Sequence, residues 1–327
     1  MAYEPNFTVS AKVLDNVMRI TEIITRVGRD NKGTILPQLR RINRLRSLHS
    51  SLAIEGNGLS LDDVSAIIDG KNVLGPQNEI TEVKNAYAAY NGMDSFDPFD
   101  KDHLLKAHGI MMNGLIDSAG TFRTGSEGIF DKDGNCIHLA PGSDLVPMML
   151  DNILGWTKDS DYPMIIKSCV FHYQFEYIHP FEDGNGRMGR LWHTLLLSTY
   201  DDFFKWIPVE SMIRRHQREY YDAIEYSNQQ SDCTPFLVFM TQMILEALEA
   251  APLATTTRWP LLLSRTRPFT STPSTKIDQL ARLPALATPT SVPGRGSPKR
   301  KLPAPLRMVS VPPDAMLPPW IVPPPSA

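Results

Sequence analysis

The chain has 327 residues, enough for one large domain or two small ones, and 42% of them are apolar, which supports a proper hydrophobic core. A formal net charge of −3 favours no particular class of partner, and three scattered cysteines without a CxxC pair exclude a disulfide scaffold or a zinc ribbon. The polar start and the lack of a long apolar run predict a reduced, cytoplasmic protein without a membrane span.

Charge and proline are unevenly distributed along the chain. Residues 251–327 hold ten Lys or Arg, two Asp or Glu and 17 of the 27 prolines, so the preceding residues are acidic. We predict three regions: an N-terminal helical region (1–95), a helical core (96–250) and a basic, Pro-rich tail (251–327) that is disordered.

Residues 9–250 indicate mostly helix, because apolar residues recur at helical spacing. Helices are predicted over 10–29, 39–54, 60–68, 79–90, 101–116, 144–158, 163–177, 187–200, 210–227 and 234–248. Gly56 is expected to end the second helix, and Ser60 with Asp63 to open the third with a capping box. The runs 127–130 and 136–139 around Asp133-Gly134 predict a small β-hairpin. The predicted fold class is therefore mostly α.

One polar loop set between two apolar helices carries the chemistry. Gly184 and Gly186 let the backbone approach a ligand closely, and the helix that follows offers unpaired N–H groups and a positive dipole end. Such a helix start binds phosphate. Arg187 and Arg190 lie on one helical face and supply two guanidinium groups for further phosphates.

Two more residues of this loop complete a site for phosphorus chemistry. Asp183 is a hard oxygen ligand suited to Mg²⁺ that bridges phosphates. Histidine titrates close to neutral pH, which makes His179 the natural acceptor of a hydroxyl proton. The G-x-G-x-x-G spacing at 184–189 does not indicate a dinucleotide fold, because a helix and not a strand precedes it. The loop predicts transfer of a phosphorus-centred group.

The sequence HPFEDGNGRMGR, residues 179–190, resembles the signature of Fic-domain proteins, H-x-F-x-[DE]-G-N-G-R-x-x-R, at every fixed position. The resemblance implies a Fic-type helical bundle that transfers AMP from ATP, with Mg²⁺, to a Ser, Thr or Tyr hydroxyl of a target protein. It makes His179 the catalytic base, Asp183 the metal ligand and Phe181 the buried anchor of the loop. It assigns the anion hole and the phosphate contacts to Gly184, Asn185, Gly186, Arg187 and Arg190.

The resemblance extends over roughly residues 40–248. Gly120 to Arg123, with the hairpin at 127–139, looks like the family's flap, which pairs with the target's backbone. Tyr220, Tyr221 and Asn228 fall where family members line the adenine pocket, although ordinary helix packing explains the tyrosines equally well. Family members of this size often finish with a winged-helix domain, so the tail is either native or a frameshifted end that replaced it.

The segment Ser51-Leu-Ala-Ile-Glu55-Gly56 resembles the family's inhibitory motif, [ST]-x-x-x-E-[GN]. The resemblance implies that Glu55 pairs with Arg190 and takes the guanidinium that a γ-phosphate needs. Two other functions stay open at this stage: hydrolysis of AMP–protein bonds by a de-AMPylase, and a nucleotide-binding scaffold. A different donor, such as UTP or CDP-choline, also stays open. Self-modification and a homodimer are left open, and neither a membrane nor nucleic acid is expected as a partner.

Overall fold

The computed structural model describes residues 3–31, 37–130, 136–251 and 308–311, most of which lie in helices. The helices are α1 (Ala11–Asn31), α2 (Pro37–Ile54), α3 (Leu61–Ile68), α4 (Gln77–Asn91), α5 (Lys101–Met111), α6 (Val146–Asp159), α7 (Met164–Ile178), α8 (Asn185–Tyr200), α9 (Val209–Arg215), α10 (Gln217–Gln230) and α11 (Thr234–Ala250). Short 3₁₀ turns span Met93–Ser95 and Asp202–Trp206, and the strands are β1 (Ser126–Phe130), β2 (Cys136–Leu139) and β3 (Met308–Val311). The prediction of a mostly α fold is confirmed.

Two predicted helices differ from those observed. The helix predicted over 101–116 ends at Met111, and Gly114 then turns the chain with φ 69°. The helix predicted over 210–227 is two helices, α9 and α10, because His216 leaves the helical region at φ −111° and ψ 37°. Ile213 before this break and Tyr220 after it are both buried at a helical spacing, so the apolar pattern does not reveal the interruption.

Helices α7 and α8 form the centre of the fold. Twelve of the fifteen residues of α7 are buried, since apolar residues are spread around its whole circumference and α6, α8 and α11 cover it. Helix α8 is buried along most of its length and also contacts α5. The loop that joins α7 to α8, residues 179–184, is therefore held at both ends by well-packed helices.

Helix α2 brings the N-terminal region to this loop. It packs against α4, α8 and α9. Gly56 ends it as predicted, with φ 94°, and the Asn57 N–H donates to the Leu52 carbonyl (3.1 Å). Ser60 and Asp63 form the predicted capping box of α3. The C-terminal end of α2 thus faces the first turn of α8.

The three strands form an antiparallel sheet in the order β2-β1-β3. Gly128 pairs with Leu139 between β1 and β2, and Ser126 pairs with Val311 between β1 and β3. The predicted turn at Asp133-Gly134 lies outside the described residues, so the hairpin flap stays a prediction. Strand β3 lies in a proline-free stretch of the tail, where no element was predicted.

The predicted domain boundaries are not resolved by the described residues. Met1–Thr255 and Pro305–Ala327 form one compact unit, which contains the predicted boundary between residues 95 and 96. The second unit, Thr256–Ala304, lies outside the described residues, as does the rest of the predicted disordered tail except β3. Within the described part of the chain, no helix combines the length and apolar character needed to cross a membrane.

Candidate active site

His179 caps the C-terminal end of α7 with a left-handed backbone, φ 50° and ψ 64°. This conformation costs a residue other than glycine about 1–3 kcal/mol, so the surrounding structure must hold it. The His179 N–H donates to the Phe175 carbonyl (3.0 Å), and the ring Nδ1 lies 3.3 Å from the Glu176 carbonyl oxygen. Because a carbonyl oxygen only accepts, Nδ1 carries a proton, and in the neutral ring Nε2 then holds the lone pair that a general base needs.

Arg123 fixes the backbone of His179 from outside α7. Its side chain is buried, and its Nε donates to the His179 carbonyl (2.6 Å). Its Nη1 donates to the Gly125 carbonyl (2.7 Å) and its Nη2 to the Pro141 carbonyl (2.5 Å). Gly125 directly precedes β1, and Pro141 lies two residues after the end of β2. Arg123 therefore ties the position of His179 to the two strands that sequence analysis assigned to the flap.

Asn185 closes the loop between His179 and α8. Its Oδ1 accepts from the Phe181 N–H (2.9 Å), and its Nδ2 donates to the Phe181 carbonyl (2.7 Å). The Phe181 ring is fully buried, in keeping with its predicted role as an anchor. Since both polar ends of the Asn185 amide are used within the loop, this residue offers an anion its backbone N–H and not its side chain.

The first turn of α8 presents backbone donors. Gly184 precedes the helix with φ 86°, and a Cβ atom there would lie 2.6 Å from the Met112 Sδ. The first hydrogen bond of the helix runs from the Met188 N–H to the Gly184 carbonyl (2.9 Å), so the N–H groups of residues 185–187 come before it. These three groups, with the positive end of the helix dipole, form what we call the anion nest.

Arg190 lies beside the anion nest and is 1% exposed. Its Nη2 donates to the Glu55 carboxylate (2.6 Å) and to the Ser51 carbonyl (3.0 Å), and its Nε donates to the Ser51 Oγ (3.0 Å). Burial is the largest single effect on the pKa of Arg190 and lowers it, but the Glu55 carboxylate, with smaller contributions from Tyr220 and Glu176, raises that pKa overall. The pairing predicted between Glu55 and Arg190 is thus present, with Ser51 as a second partner of the same guanidinium.

The Glu55 carboxylate can approach the first turn of α8 because residue 186 has no side chain. A Cβ atom at position 186 would collide with Glu55 Oε1 and would lie 3.0 Å from Arg190 Nη1. The carboxylate therefore lies directly against the anion nest, where a negatively charged ligand of this helix start would lie. Gly56, next in the chain, ends α2 at the point that directs Glu55 to this position.

Arg187 and Asp183 face each other one helical turn apart. Arg187 Nη2 donates to both Asp183 oxygens (3.0 Å each), and Arg187 Nη1 lies 3.3 Å from Glu82 Oε1. The Arg187 side chain is 5% exposed, whereas that of Asp183 is 56% exposed. Among the described residues, no cluster of three or more His, Cys, Asp or Glu side chains is arranged to hold a metal ion. A single exposed carboxylate next to a phosphate site nevertheless fits Mg²⁺, which binds through one or two carboxylates plus substrate phosphates.

A second buried polar group lies under the first turns of α8. The Glu176 side chain is 10% exposed and its Oε1 lies 3.6 Å from His172 Nε2, which is 3.1 Å from the Tyr220 hydroxyl. Burial raises the pKa of Glu176 to about 7, against the opposing charges of His179 and Arg190, and burial lowers the pKa of His172 to about 3. His172 is therefore neutral, in keeping with its buried, packed position.

Comparison with known proteins identifies the family. A sequence model of the Fic/DOC family matches residues 98–197. The crystal structure of a Fic family protein from Desulfovibrio desulfuricans G20 has a TM-score of 0.72 and 42% identity, over 76% of each chain. The chain belongs to the Fic family.

Other Fic relatives are more distant. A protein named protein adenylyltransferase Fic from Nematostella vectensis is 30% identical over 72% of this chain and 55% of its own length. A protein of the same name from Aedes aegypti is 26% identical over 68% of this chain and 45% of its own length. Fic-1 from Caenorhabditis elegans shares the fold, with a TM-score of 0.57, 22% identity and coverage of 72% and 71%. The chain spans about half the length of the curated relatives it matches.

His108 supports the Fic loop, a role that was not predicted from the sequence. Its buried ring stacks on Phe181, with centroids 3.6 Å apart and planes 4° from parallel. Its Nε2 donates to the Asp183 carbonyl (3.0 Å), and its Nδ1 accepts from the Gly120 N–H (2.9 Å). Burial lowers the pKa of His108, which agrees with this neutral form. Because its partners are distant in sequence, a lone histidine within a helical pattern gives no local signal of this role.

The residues predicted for an adenine pocket lie in different surroundings. The Tyr221 hydroxyl is 3.5 Å from Gln217 Nε2, which donates to the Ile54 carbonyl at the end of α2 (3.0 Å). Asn228 Oδ1 accepts from the Tyr173 hydroxyl (2.8 Å). Tyr220 is fully buried, as the packing interpretation expected. Tyr221 and Asn228 are seven residues apart in α10 and share one face, so a common ligand surface for them stays a prediction.

Proposed function

We propose that this Fic-family chain is a protein adenylyltransferase that transfers AMP from ATP to a hydroxyl side chain of a target protein. The observation that carries the proposal is the placement of one loop: the His179 general base, the anion nest, Asp183 and two arginines all lie within residues 179–190. The names of the relatives from Nematostella vectensis and Aedes aegypti support it.

In the proposed reaction, His179 acts through Nε2. That atom takes the proton of the target hydroxyl, and the hydroxyl oxygen forms a bond to the α-phosphorus of ATP. The bond from the α-phosphorus to the oxygen that bridges to the β-phosphorus breaks, and pyrophosphate leaves with the electron pair. The anion nest would stabilise the charge on the phosphate oxygens as the bonds exchange.

The remaining charges of the site have roles in holding the nucleotide. Asp183 would hold Mg²⁺, which supplies neutralisation of the phosphate charge. Arg187 and Arg190 would bind the outer phosphates, as guanidinium groups do. In this arrangement Arg190 must part from Glu55, and Arg187 must share Asp183 with the metal.

We also propose that the pairing of Glu55 with Arg190 inhibits the chain. The carboxylate lies against Gly186 in the anion nest and neutralises a buried arginine. ATP would therefore meet a negative charge where its own phosphates must lie. Release of Glu55 would turn transfer on.

We assign the docking of the target to residues 127–139. Arg123 links the residues next to β1 and β2 to His179, and β1 already lies between β2 and β3, so a backbone segment added to the outer edge of β2 would be held at a fixed distance from the base. The same mode of docking would serve a second copy or the chain's own segments in self-modification.

The test uses ATP labelled in its α-phosphate. Wild type, Glu55→Gly and the double variant Glu55→Gly/His179→Ala are incubated with Mg²⁺ and with cell lysate, and protein-bound label is measured. We expect label with Glu55→Gly, little with wild type and none with the double variant. Equal labelling by Glu55→Gly and the double variant would contradict a transferase that uses His179.

Two further arms separate the alternatives. Unlabelled UTP and CDP-choline are added as competitors, and only ATP is expected to suppress the labelling. A pre-labelled target is also returned to wild type. Loss of that label with wild type but not with Glu55→Gly would indicate hydrolysis of the AMP–protein bond instead of transfer.

A further inference from the structure

A second carboxylate from the N-terminal helices reaches the site beside Glu55. Glu82, on α4, places Oε1 3.3 Å from Arg187 Nη1. The Glu82 side chain is 23% exposed and the Arg187 side chain 5% exposed, so the contact is partly shielded from water. Each arginine of the loop is therefore paired with a carboxylate that is more than a hundred residues away in sequence.

Glu82 is itself held in place by the segment that follows the inhibitory motif. Its Oε2 accepts from Asn57 Nδ2 (2.8 Å), and Asn57 is 8% exposed. The Asn57 amide also donates to the Glu79 carbonyl (3.2 Å) and accepts from the Leu59 N–H (3.1 Å). Asn57 therefore holds Glu82 through Oε2, and the other oxygen of the carboxylate, Oε1, lies toward Arg187.

Arg187 divides its two terminal nitrogens between two carboxylates. Nη2 donates to both oxygens of Asp183, and Nη1 faces Glu82. Asp183 is the residue proposed to hold Mg²⁺, and a carboxylate that turns to a divalent ion weakens its hold on a neighbouring arginine. Arg187 would then be a nearly buried cation whose remaining charged partner is Glu82.

We propose that Glu82 is a positioning residue for Arg187 in the nucleotide-bound site. It holds the guanidinium through Nη1 when Asp183 turns to the metal, so that Nη2 points a donor at the phosphates. Glu82 touches neither the reacting atoms nor the metal in this role, and it acts through Arg187 alone. The inference rests on the proposed function, because it needs ATP and Mg²⁺ at the loop.

The test is made in the Glu55→Gly background, in which ATP is free to bind. Glu82→Gln is added to remove the charge while keeping the shape, and Glu79→Gln is the matched control. Glu79 lies on the same helix, and its carboxylate accepts from the Gly58 N–H (2.8 Å), next to Asn57 in the chain. Thermal unfolding confirms that all three proteins are folded, and Glu82→Asp serves as the conservative rescue.

ATP binding is measured by titration calorimetry, once with EDTA and once with excess Mg²⁺. With EDTA, Asp183 still holds Arg187, so we expect Glu82→Gln to change the Kd less than about twofold. With Mg²⁺ we expect the Kd to weaken about tenfold, the size of one charge-assisted hydrogen bond. In the transfer assay the KM for ATP should rise by a similar factor with little change in kcat, and Glu82→Asp should recover part of the loss.

Three results would overturn the proposal. Equal weakening with and without Mg²⁺ would indicate a general structural role, and an unchanged Kd under both conditions would show that Arg187 does not need Glu82. Tighter binding would show that Glu82 competes with phosphate. If Glu55→Gly binds ATP but labels no protein, the proposed transfer fails while the Kd comparison still decides the role of Glu82. If Glu55→Gly binds no ATP, both proposals fail.

Discussion

The Glu55 carboxylate occupies the space that a side chain at Gly186 would need. A Cβ atom at that position would collide with Glu55 Oε1, the same oxygen that accepts from Arg190 at 2.6 Å. A Cβ atom at this first turn of α8 would therefore displace the carboxylate that arrives from α2. Under the proposed function, a phosphate oxygen would use this space once Glu55 has left it.

Gly186→Ala tests that shared space. In the Glu55→Gly background no side chain from α2 fills the space beside residue 186. If Gly186 served only to admit the inhibitory Glu55, the added methyl group would then leave the rate of AMP transfer unchanged. We expect instead that the methyl group blocks a phosphate oxygen and lowers AMP transfer by about 10²-fold or more, in the range seen when one anion-stabilising contact is lost. Initial rates with labelled ATP measure this, and an unchanged rate would contradict it.

Glu55→Gln and Ser51→Ala separate the charge from the hydrogen bonds that hold Arg190. Glu55→Gln keeps the shape and removes the charge, and we expect it to tighten ATP binding about tenfold because a charge-assisted partner is lost. Ser51→Ala removes one acceptor, but the Ser51 carbonyl and Glu55 still hold the guanidinium, so its effect should stay below about threefold. Calorimetric titration of ATP with Mg²⁺ gives the Kd of each variant. Equal changes in Kd for the two variants would contradict the conclusion that the charge of Glu55 dominates the pairing.

Glu176→Gln should change how stability depends on pH. Burial raises the pKa of Glu176 from 4.5 to about 7 in the folded state, so the folded protein binds this proton more tightly than the unfolded chain does. The free energy of unfolding of wild type therefore falls relative to that of the variant as pH rises from about 4.5 to about 7. Above this window we expect the variant to be more stable by about 1–3 kcal/mol.

Urea unfolding of both proteins at pH 4.5, 6 and 8 measures the effect of Glu176→Gln. His172 is common to both proteins, but the charge of His179 acts on Glu176 and does not cancel in the difference, so the pair is also compared in a His179→Ala background. A difference in unfolding free energy that does not change between pH 4.5 and pH 8 would show that Glu176 does not titrate in this window.

Arg123→Lys tests whether the geometry of the guanidinium, and not only its charge, holds His179. A lysine amine cannot reach the carbonyls of Gly125, Pro141 and His179 together, so buried acceptors lose their donor. We expect unfolding to become easier by about 2–4 kcal/mol, since one or two such groups are left unsatisfied. The control is Arg218→Lys, because the Arg218 side chain is 83% exposed. An equal loss of unfolding free energy in Arg218→Lys would contradict a specific role for the Arg123 guanidinium.

Local patterns predicted the parts of this protein that are built within one or two helical turns. The end of α2 at Gly56, the capping box of Ser60 and Asp63, and the helix start after Gly184 all depend on neighbours within five residues. Spacing alone suffices for such features, because backbone geometry fixes where those neighbours lie. The pairing of Glu55 with Arg190 was expected through family resemblance and not through spacing.

The parts that escaped prediction depend on how helices pack against one another. His108 meets the Asp183 carbonyl 75 residues later, and Glu82 meets Arg187 105 residues later. Helix crossing angles and side-chain packing decide these contacts, and a single sequence carries no periodic signal for them. The break at His216 also escaped, because buried residues continue at helical spacing on both sides of it.

The ion pair of Glu55 and Arg190 lies within one covalent chain, which fixes its response to concentration. A tethered carboxylate competes with ATP at an effective concentration set by the backbone between α2 and α8, and dilution of the protein cannot lower it. Under the proposed inhibition, the fraction of active molecules should therefore depend on the amount of nucleotide and not on the amount of protein. An activator would therefore have to move the C-terminal end of α2, which carries Glu55, away from α8.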